Sequence, residues 1–351
     1  MIWFVVISSV CLCLAIICLW LLKTKRMTLP FFYKYTEGYT IGVVKTRNPL
    51  EINIPQIHIL EKKQFGMHPQ PTIMADPFVV KENDKYYIFY EELSGKHRNL
   101  GGNIAVLEST DFVHWHRIGV VLKEPFHLSF PNVFSWKGVW YMLPEASASQ
   151  ELRLYCSTQF PCKWNLCKVL HSESFPTKWN LCKVLMTDVR YADPMIMEKD
   201  GVWYLWLNLF GKEDSLRLYI ADDLLGEWRE HPQSPIRVNE MDTRPAGRVS
   251  KINEEWYYFV QEHIGGYGTG TIAYKILTLT PTEFEDKRLE CNPILYKNGN
   301  DWAKNGMHHL SFIEEDGQYA CVTDGLLGDR GWRWRIDLFN FPQFSSLKCK
   351  R

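Results

Sequence analysis

Asp76 and Asp193 each stand immediately before a proline, in Asp76-Pro77 and Asp193-Pro194, at the head of an apolar run. Glu145 closes the stretch Trp140-Tyr141-Met142-Leu143-Pro144-Glu145. Carboxyl groups gathered in one site are the equipment of glycoside cleavage, one kept protonated as acid and another ionised as base or nucleophile. These three are the candidate catalytic residues. Glu91, Glu92, Asn208, Arg244, Gln261, Glu262, His308, His309 and Asp324 are candidates for holding a polyhydroxylated ligand, since they offer both donors and acceptors. An Asp before Pro can equally cap a turn through its side chain. The His308-His309 pair can satisfy channel hydrogen bonds without a metal, and no metal or cofactor is expected.

The elements that would bring these residues together are legible in the spacing. Pro77, Pro131, Pro194, Pro245 and His309 serve as anchors, with a period of 50 to 65 residues. An aromatic pair lies nine and ten positions after the first three: Tyr86-Tyr87, Trp140-Tyr141 and Trp203-Tyr204. Trp256-Tyr257 is displaced by two, and the fifth unit keeps Tyr319. Fourteen positions after the first three anchors stand Glu91, Glu145 and Asn208; the two-residue shift makes the fourth Gln261, and Thr323 precedes Asp324. Each unit reads as a strand, a short polar turn and a second strand. Short-strand repeats of this length predict an all-β fold, a five-bladed β-propeller. A β-sandwich would give no reason for the repeated Pro-to-aromatic spacing. In an antiparallel blade the start of the first strand and the end of the second share a face. The candidates should therefore converge at one mouth of the central channel.

The chain has 351 residues, 46% hydrophobic and 14% aromatic, enough for a large core. Forty basic and forty acidic residues cancel, so no electrostatic footprint for nucleic acid is expected. The glycine-rich Gly265–Thr271 reads as a turn between strands, because no helix pattern follows it. Residues 2–22 carry no charge, long enough to span a bilayer core of ~30 Å as one helix. They predict a single-pass membrane anchor, with a cleaved signal peptide as the competing reading. Lys23, Lys25 and Arg26 follow, which by the positive-inside rule would put the large domain in the cytosol. Seven cysteines beyond the span specify no disulfide framework. The expected organisation is an anchor and basic flank at 1–26, a stalk and closing strand at 27–70, a propeller at 71–342 and a tail at 343–351. The blades should start near 76, 130, 193, 244 and 308. Tyr39–Val44 should clasp the ring by pairing with the last blade, which protects an edge. Trp115, Trp164, Trp228 and Phe284 should pack between blades. Residues 160–170 return almost unchanged as 175–185, and one copy is expected in the outer strand with the other looped out.

Together with Ser109-Thr110-Asp111-Phe112-Val113-His114-Trp115, the Asp-Pro starts resemble the five-bladed propellers of glycoside hydrolase family 43 and its relatives. Residues 75–80, 127–134, 141–146, 151–155, 244–248, 261–268 and 276–285 are more closely similar to the N-terminal propeller of glucosamine inositolphosphorylceramide transferases. The hydrolase resemblance implies that Asp76 is a base and that Asp193 tunes an acid. The acid itself, a Glu in a Glu-Gly-Pro start of the fourth blade, is replaced by Thr243-Arg244-Pro245. Glu145 or Glu262 would have to substitute. The transferase resemblance implies a Golgi setting and a place in glycolipid assembly. In those proteins a separate glycosyltransferase domain follows the propeller. About a dozen residues follow the fifth blade here, so that domain's activity is not expected of them. The function expected is a membrane-anchored propeller that handles a sugar or glycolipid headgroup. The alternatives are a non-catalytic scaffold for a glycosyltransferase and a true glycosidase with a relocated Glu.

Overall fold

The computed structural model describes residues 32–36, 38–67, 71–94, 101–166, 183–187, 190–210, 214–239, 241–299, 302–328 and 330–334. The predicted span 2–22 and the tail lie outside them. Among the described residues no helix is long and apolar enough to cross a membrane.

Residues 38–328 form a five-bladed propeller of antiparallel sheets. Blade one consists of Pro71–Glu82, Lys85–Ser94, Asn103–Ser109 and His116–Leu122. Blade two begins Ser129–Trp136, Val139–Glu145 and Glu151–Gln159. Blade three begins Tyr191–Lys199, Val202–Leu209 and Ser215–Ala221, and blade four Ser250–Ile252, Glu255–Glu262 and Gly270–Leu279. Leu310–Glu315 and Gln318–Leu326 open blade five, which Tyr39–Thr46 and His58–Leu60 complete. Thus the predicted clasp strand lies antiparallel to Gln318–Leu326, from Tyr39↔Leu326 to Thr46↔Tyr319. Phe32–Thr36 pairs with Arg330–Trp334 in a separate two-stranded unit.

Five apolar clusters, each between consecutive blades, hold the ring. The second strand of blade one shows how. Tyr86, Ile88 and Tyr90 pack toward blade five with Ile41, Val43, Ala320 and Val322. Tyr87 and Phe89, on the opposite face, pack toward blade two with Val133, Met142 and Tyr155. Strand side chains alternate faces, so a sheet covered on both faces reads as an unbroken apolar run. Trp115 and Trp164 are buried in these clusters, and Trp228 and Phe284 pack against them.

The proline anchors have a structural reason. In blades one to three the first strand carries a bulge. Asp76-Pro77 lies between the pairs Ala75↔Glu91 and Phe78↔Phe89, so two residues face one. Phe130-Pro131 and Asp193-Pro194 do the same. Proline lacks an N–H and fits where the ladder is interrupted. Before it, Asp76, Phe130 and Asp193 all sit in the left-handed region, at φ 51°, 46° and 51°. Aspartate visits that region readily, whereas for a bulky Phe it is a strained outlier.

The tandem repeat resolves differently from expectation. Neither copy alone forms the outer strand of blade two. Lys163–Leu166 of the first copy pairs with one half of Glu151–Gln159, and Lys183–Thr187, which begins inside the second, pairs with the other half. Because the copies match in sequence, each half-strand meets the partners an uninterrupted strand would meet. Cys156, on the strand they share, is disulfide-bonded.

Candidate functional site

The three bulges aim residues 76, 130 and 193 at one mouth of the channel, where hydrogen bonds pass from blade to blade. Asp324 of blade five accepts the Asp76 N–H of blade one at 3.1 Å. Asp76 accepts the Phe130 N–H of blade two at 3.2 Å. Glu145 of blade two accepts the Asp193 N–H of blade three at 3.3 Å. Asp193 in turn accepts from the blade-four side chains Arg244, at 2.9 Å from Nε and 2.8 Å from Nη2, and Gln261, at 3.0 Å. Each carboxylate thereby fixes the bulge or anchor of the next blade. The turn-cap reading of Asp76 is therefore part of the geometry and does not compete with a site.

Asp76, Glu145, Asp193, Arg244, Gln261, His308, His309 and Asp324 are thus gathered together. His308 Nδ1 donates to Asp324 at 2.9 Å, while its Nε2 lies 4.0 Å from Asp76. His309 Nδ1 is 3.8 Å from Asp76, and its ring packs on Phe78 and Phe130, closing the channel beneath the carboxylates. Glu91 borders the group and approaches His127 at 3.5 Å. Asn208 occupies the register position of Glu145, opposite Ala192, and is fully buried. Two candidates are not brought in. Glu92 is held by Arg117 at 2.7 and 2.8 Å and by the Tyr90 hydroxyl. The cations that act on Glu262 are Arg288 and Lys297, not Arg244. Each follows a residue that faces the site, and strand alternation turns it to the other face.

Three flanking residues were not among the candidates. Tyr39 stacks on His308 with ring centroids 4.1 Å apart. Tyr267 lies over Arg244 at 5.1 Å and edge-on to His308. His127 receives the Gly102 N–H at 2.7 Å. Tyr267 sits in the Gly265–Thr271 turn, where the lone aromatic among glycines was the available signal.

Burial sets the protonation states. It pushes the carboxyls of Glu91 and Glu145 well above the usual range, aided by neighbouring carboxylates. Asp76 is raised to about 7 by burial and by Asp193 and Asp324, against His308 and Arg244. Burial alone would lower His308, but the Asp324 carboxylate overcomes it and holds the imidazolium at about 9. The same partnership keeps Asp324 ionised despite its burial. Among the described residues His309 hydrogen-bonds to no carboxylate, and burial, against the pull of Asp324, depresses it to about 3. Arg244 is raised by Asp193, Tyr267 and Glu145 in spite of its burial. Asp76, His308 and Asp324 place ligand atoms within 4.8 Å of one another. A metal would need His308 neutral, however, and its proton already bridges toward Asp324.

The family model described as glucosamine inositolphosphorylceramide transferase 1, N-terminal, matches residues 51–174 and 170–326. The chain belongs to this family. Its two matched stretches overlap within the tandem repeat. Glucosamine inositolphosphorylceramide transferase 1 of Oryza sativa subsp. japonica is 31% identical over 290 residues, covering 80% of this chain and 36% of that protein. The protein of the same name from Arabidopsis thaliana is 28% identical over 264 residues, covering 72% and 32%. The chain therefore spans about a third of the length of these relatives. Among solved structures, an endo-1,4-beta-xylanase from Bacteroides thetaiotaomicron superposes with a TM-score of 0.50 at 19% identity, over 71% of this chain and 84% of that one. That likeness concerns the fold. Against the hydrolase pattern implied by the sequence, the fourth blade opens on Thr243-Arg244-Pro245, with no Glu in the acid's place and Arg244 beside it. The guanidinium ties down both Asp193 and, at 3.8 Å, Glu145.

Proposed function

We propose that this chain is a membrane-anchored propeller that holds a sugar or glycolipid headgroup during glycolipid assembly, without hydrolysing it. The observation that carries the reading is Arg244. In the hydrolase pattern Asp193 would tune an acid of the fourth blade, yet that acid is missing and Asp193 is engaged instead by two Arg244 donors and by Gln261. What remains is a polar mouth of carboxyls, Arg244 and His308, flanked by Tyr39 and Tyr267. Such a surface meets hydroxyls with both donors and acceptors. Membership of the transferase family supports the glycolipid setting. A glycosyltransferase is the partner this reading names.

A second reading has its own observation. Glu145 is held up by burial, and Asp76 stands at about 7, so protonated carboxyls are present near neutrality. That is the condition a general acid needs. The purified full chain, screened against free sugars, glycolipid headgroups and aryl glycosides, separates the two. Saturable binding without turnover supports the first. Turnover lost in both Asp76→Asn and Asp193→Asn supports the hydrolase. Neither, with a stable glycosyltransferase in pull-downs, supports a scaffold.

The proposal places residues 2–22 across a Golgi or other endomembrane, with the propeller in the lumen. The basic flank argues for the cytosol, but the disulfide at Cys156 favours an oxidising compartment. Protease protection on sealed membranes tests this: digestion of the propeller without detergent would contradict the lumenal side.

A further inference from the structure

The first strand of blade one runs from the carboxylate mouth at Asp76 to Lys81. Five residues at ~3.3 Å each carry it about 16 Å, to the opposite end of the channel. A cavity of about 590 Å³ opens there, between the far ends of the first strands of blades one, two and five. Phe134 and Trp140 form an apolar wall. Glu314 and Asp316 are exposed at its rim, and Lys81 is already paired with Glu315. The cavity is of the size that takes a small ligand.

Arg248 also lines it. Its Nη2 donates to the Val79 carbonyl at 3.1 Å, and the guanidinium lies 5.4 Å from the Phe78 ring, under the aromatic plug of the channel. Its Nε is buried and, among the described residues, meets no acceptor. Burial is the cause that acts on the group, and it lowers Arg248 to about 10, leaving it cationic at neutral pH. Arg244, four residues earlier, has Asp193; among the described residues Arg248 has no such counter-charge. A half-buried guanidinium without a carboxylate is unfavourable by itself, and an oxyanion accepting from its planar fork relieves this.

We propose that this second mouth is a binding site for a sugar-sized ligand carrying one anionic group, its carboxylate or phosphate bound by Arg248. The apolar face of the ring rests on Trp140 and Phe134, and hydroxyls are accepted by the acidic rim. Those rim carboxylates repel a polyphosphate, which confines the class to ligands with a single anionic group. The site is separate from the carboxylate mouth and stands or falls independently of it.

The test uses the purified full chain, with thermal unfolding and calorimetric titration at pH 7. The probes are glucuronate, glucose 6-phosphate, inorganic phosphate, glucose and a nucleoside triphosphate. Glucuronate or glucose 6-phosphate should bind saturably, and whichever binds tells the carboxylate source from the phosphate source. Glucose and the triphosphate should bind at least tenfold more weakly. Arg248→Met should reduce binding of the anionic sugar at least tenfold while leaving unfolding of the unliganded protein unchanged or raised. Arg248→Lys should retain part of the binding, and Asp193→Asn should leave it intact. Three results would overturn the proposal: no anionic sugar binds, inorganic phosphate binds as tightly as glucose 6-phosphate, or Arg248→Met keeps full affinity. An unliganded protein destabilised by Arg248→Met would assign the side chain to the Val79 carbonyl, and that too would overturn it.

Discussion

Replacing Arg244 with methionine removes the two donors, 2.9 and 2.8 Å away, that neutralise the Asp193 carboxylate. That carboxylate is 2% exposed, so water cannot replace them. Breaking a buried pair in this way costs about 3–5 kcal/mol, because an uncompensated charge is left behind. The Gln261 amide still donates at 3.0 Å, which argues for the lower half of that range. Asp193→Asn strands the guanidinium instead, but Arg244 keeps Glu145 at 3.8 Å and is 17% exposed, so the loss should be about 2 kcal/mol. In the double variant no charge is stranded. Its destabilisation should fall short of the sum of the single losses by about 2 kcal/mol, the signature of direct coupling. Urea unfolding at pH 7 of the four proteins gives the cycle, with equal m-values as the check that only stability has changed. Additivity within about 0.5 kcal/mol would refute the claim that Arg244 neutralises the site.

His308 makes stability pH-dependent. Its folded value of about 9 lies above the unfolded ~6.5, so its stabilisation is full below pH ~6.5 and is lost as pH rises through 9. That limb amounts to at most about 3.5 kcal/mol, from ~2.5 pH units at ~1.4 kcal/mol each, and His308→Asn should flatten it in unfolding curves taken from pH 6 to 10. Gly247→Ala should destabilise by 2 kcal/mol or more. A Cβ there would come within 1.9 Å of the Leu310 carbonyl, and the φ of 146° already disfavours a side chain, a strain of about 2 kcal/mol. Deleting residues 168–182, which removes one copy of the repeat and keeps the other, should leave stability unchanged within about 1 kcal/mol. The deletion joins Cys167 to Lys183 and restores one continuous outer strand. A large loss in thermal unfolding would show that the inserted copy packs on the propeller.

The fold was legible because its constraints are local and repeated. Pro77, Pro131 and Pro194 mark bulges, and pairs such as Tyr86-Tyr87 mark strands buried on both faces. Tyr39–Thr46 could be read as a clasp from its own pattern. His58–Leu60 could not be read as the outermost strand of blade five, because three residues, running from exposed His58 to buried Leu60, are too few to carry a period. Face assignment by period two put Glu91 and Glu145 at the mouth, and the same rule, applied strictly, excludes Glu92 and Glu262; it would also exclude Asp324, which follows Thr323 and yet reaches Asp76 and His308. Tyr39, Tyr267 and His127 reach the site from three different blades, a juxtaposition that only ring closure creates. The far cavity was invisible for the same reason. Among the described residues Arg248 differs from Arg244 in having no carboxylate opposite it, and that depends on packing across the axis.

The central claim is that the Asp76–Glu145–Asp193–Arg244 mouth binds a glycan and does not cleave it. Calorimetric titration of the full chain with glycolipid headgroup sugars, run beside an aryl-glycoside assay on the same protein, tests this most directly. The account predicts saturable binding, weakened at least tenfold by Asp76→Asn, and no release of aglycone. Release of aglycone by the wild-type protein, or binding untouched by Asp76→Asn, would contradict it.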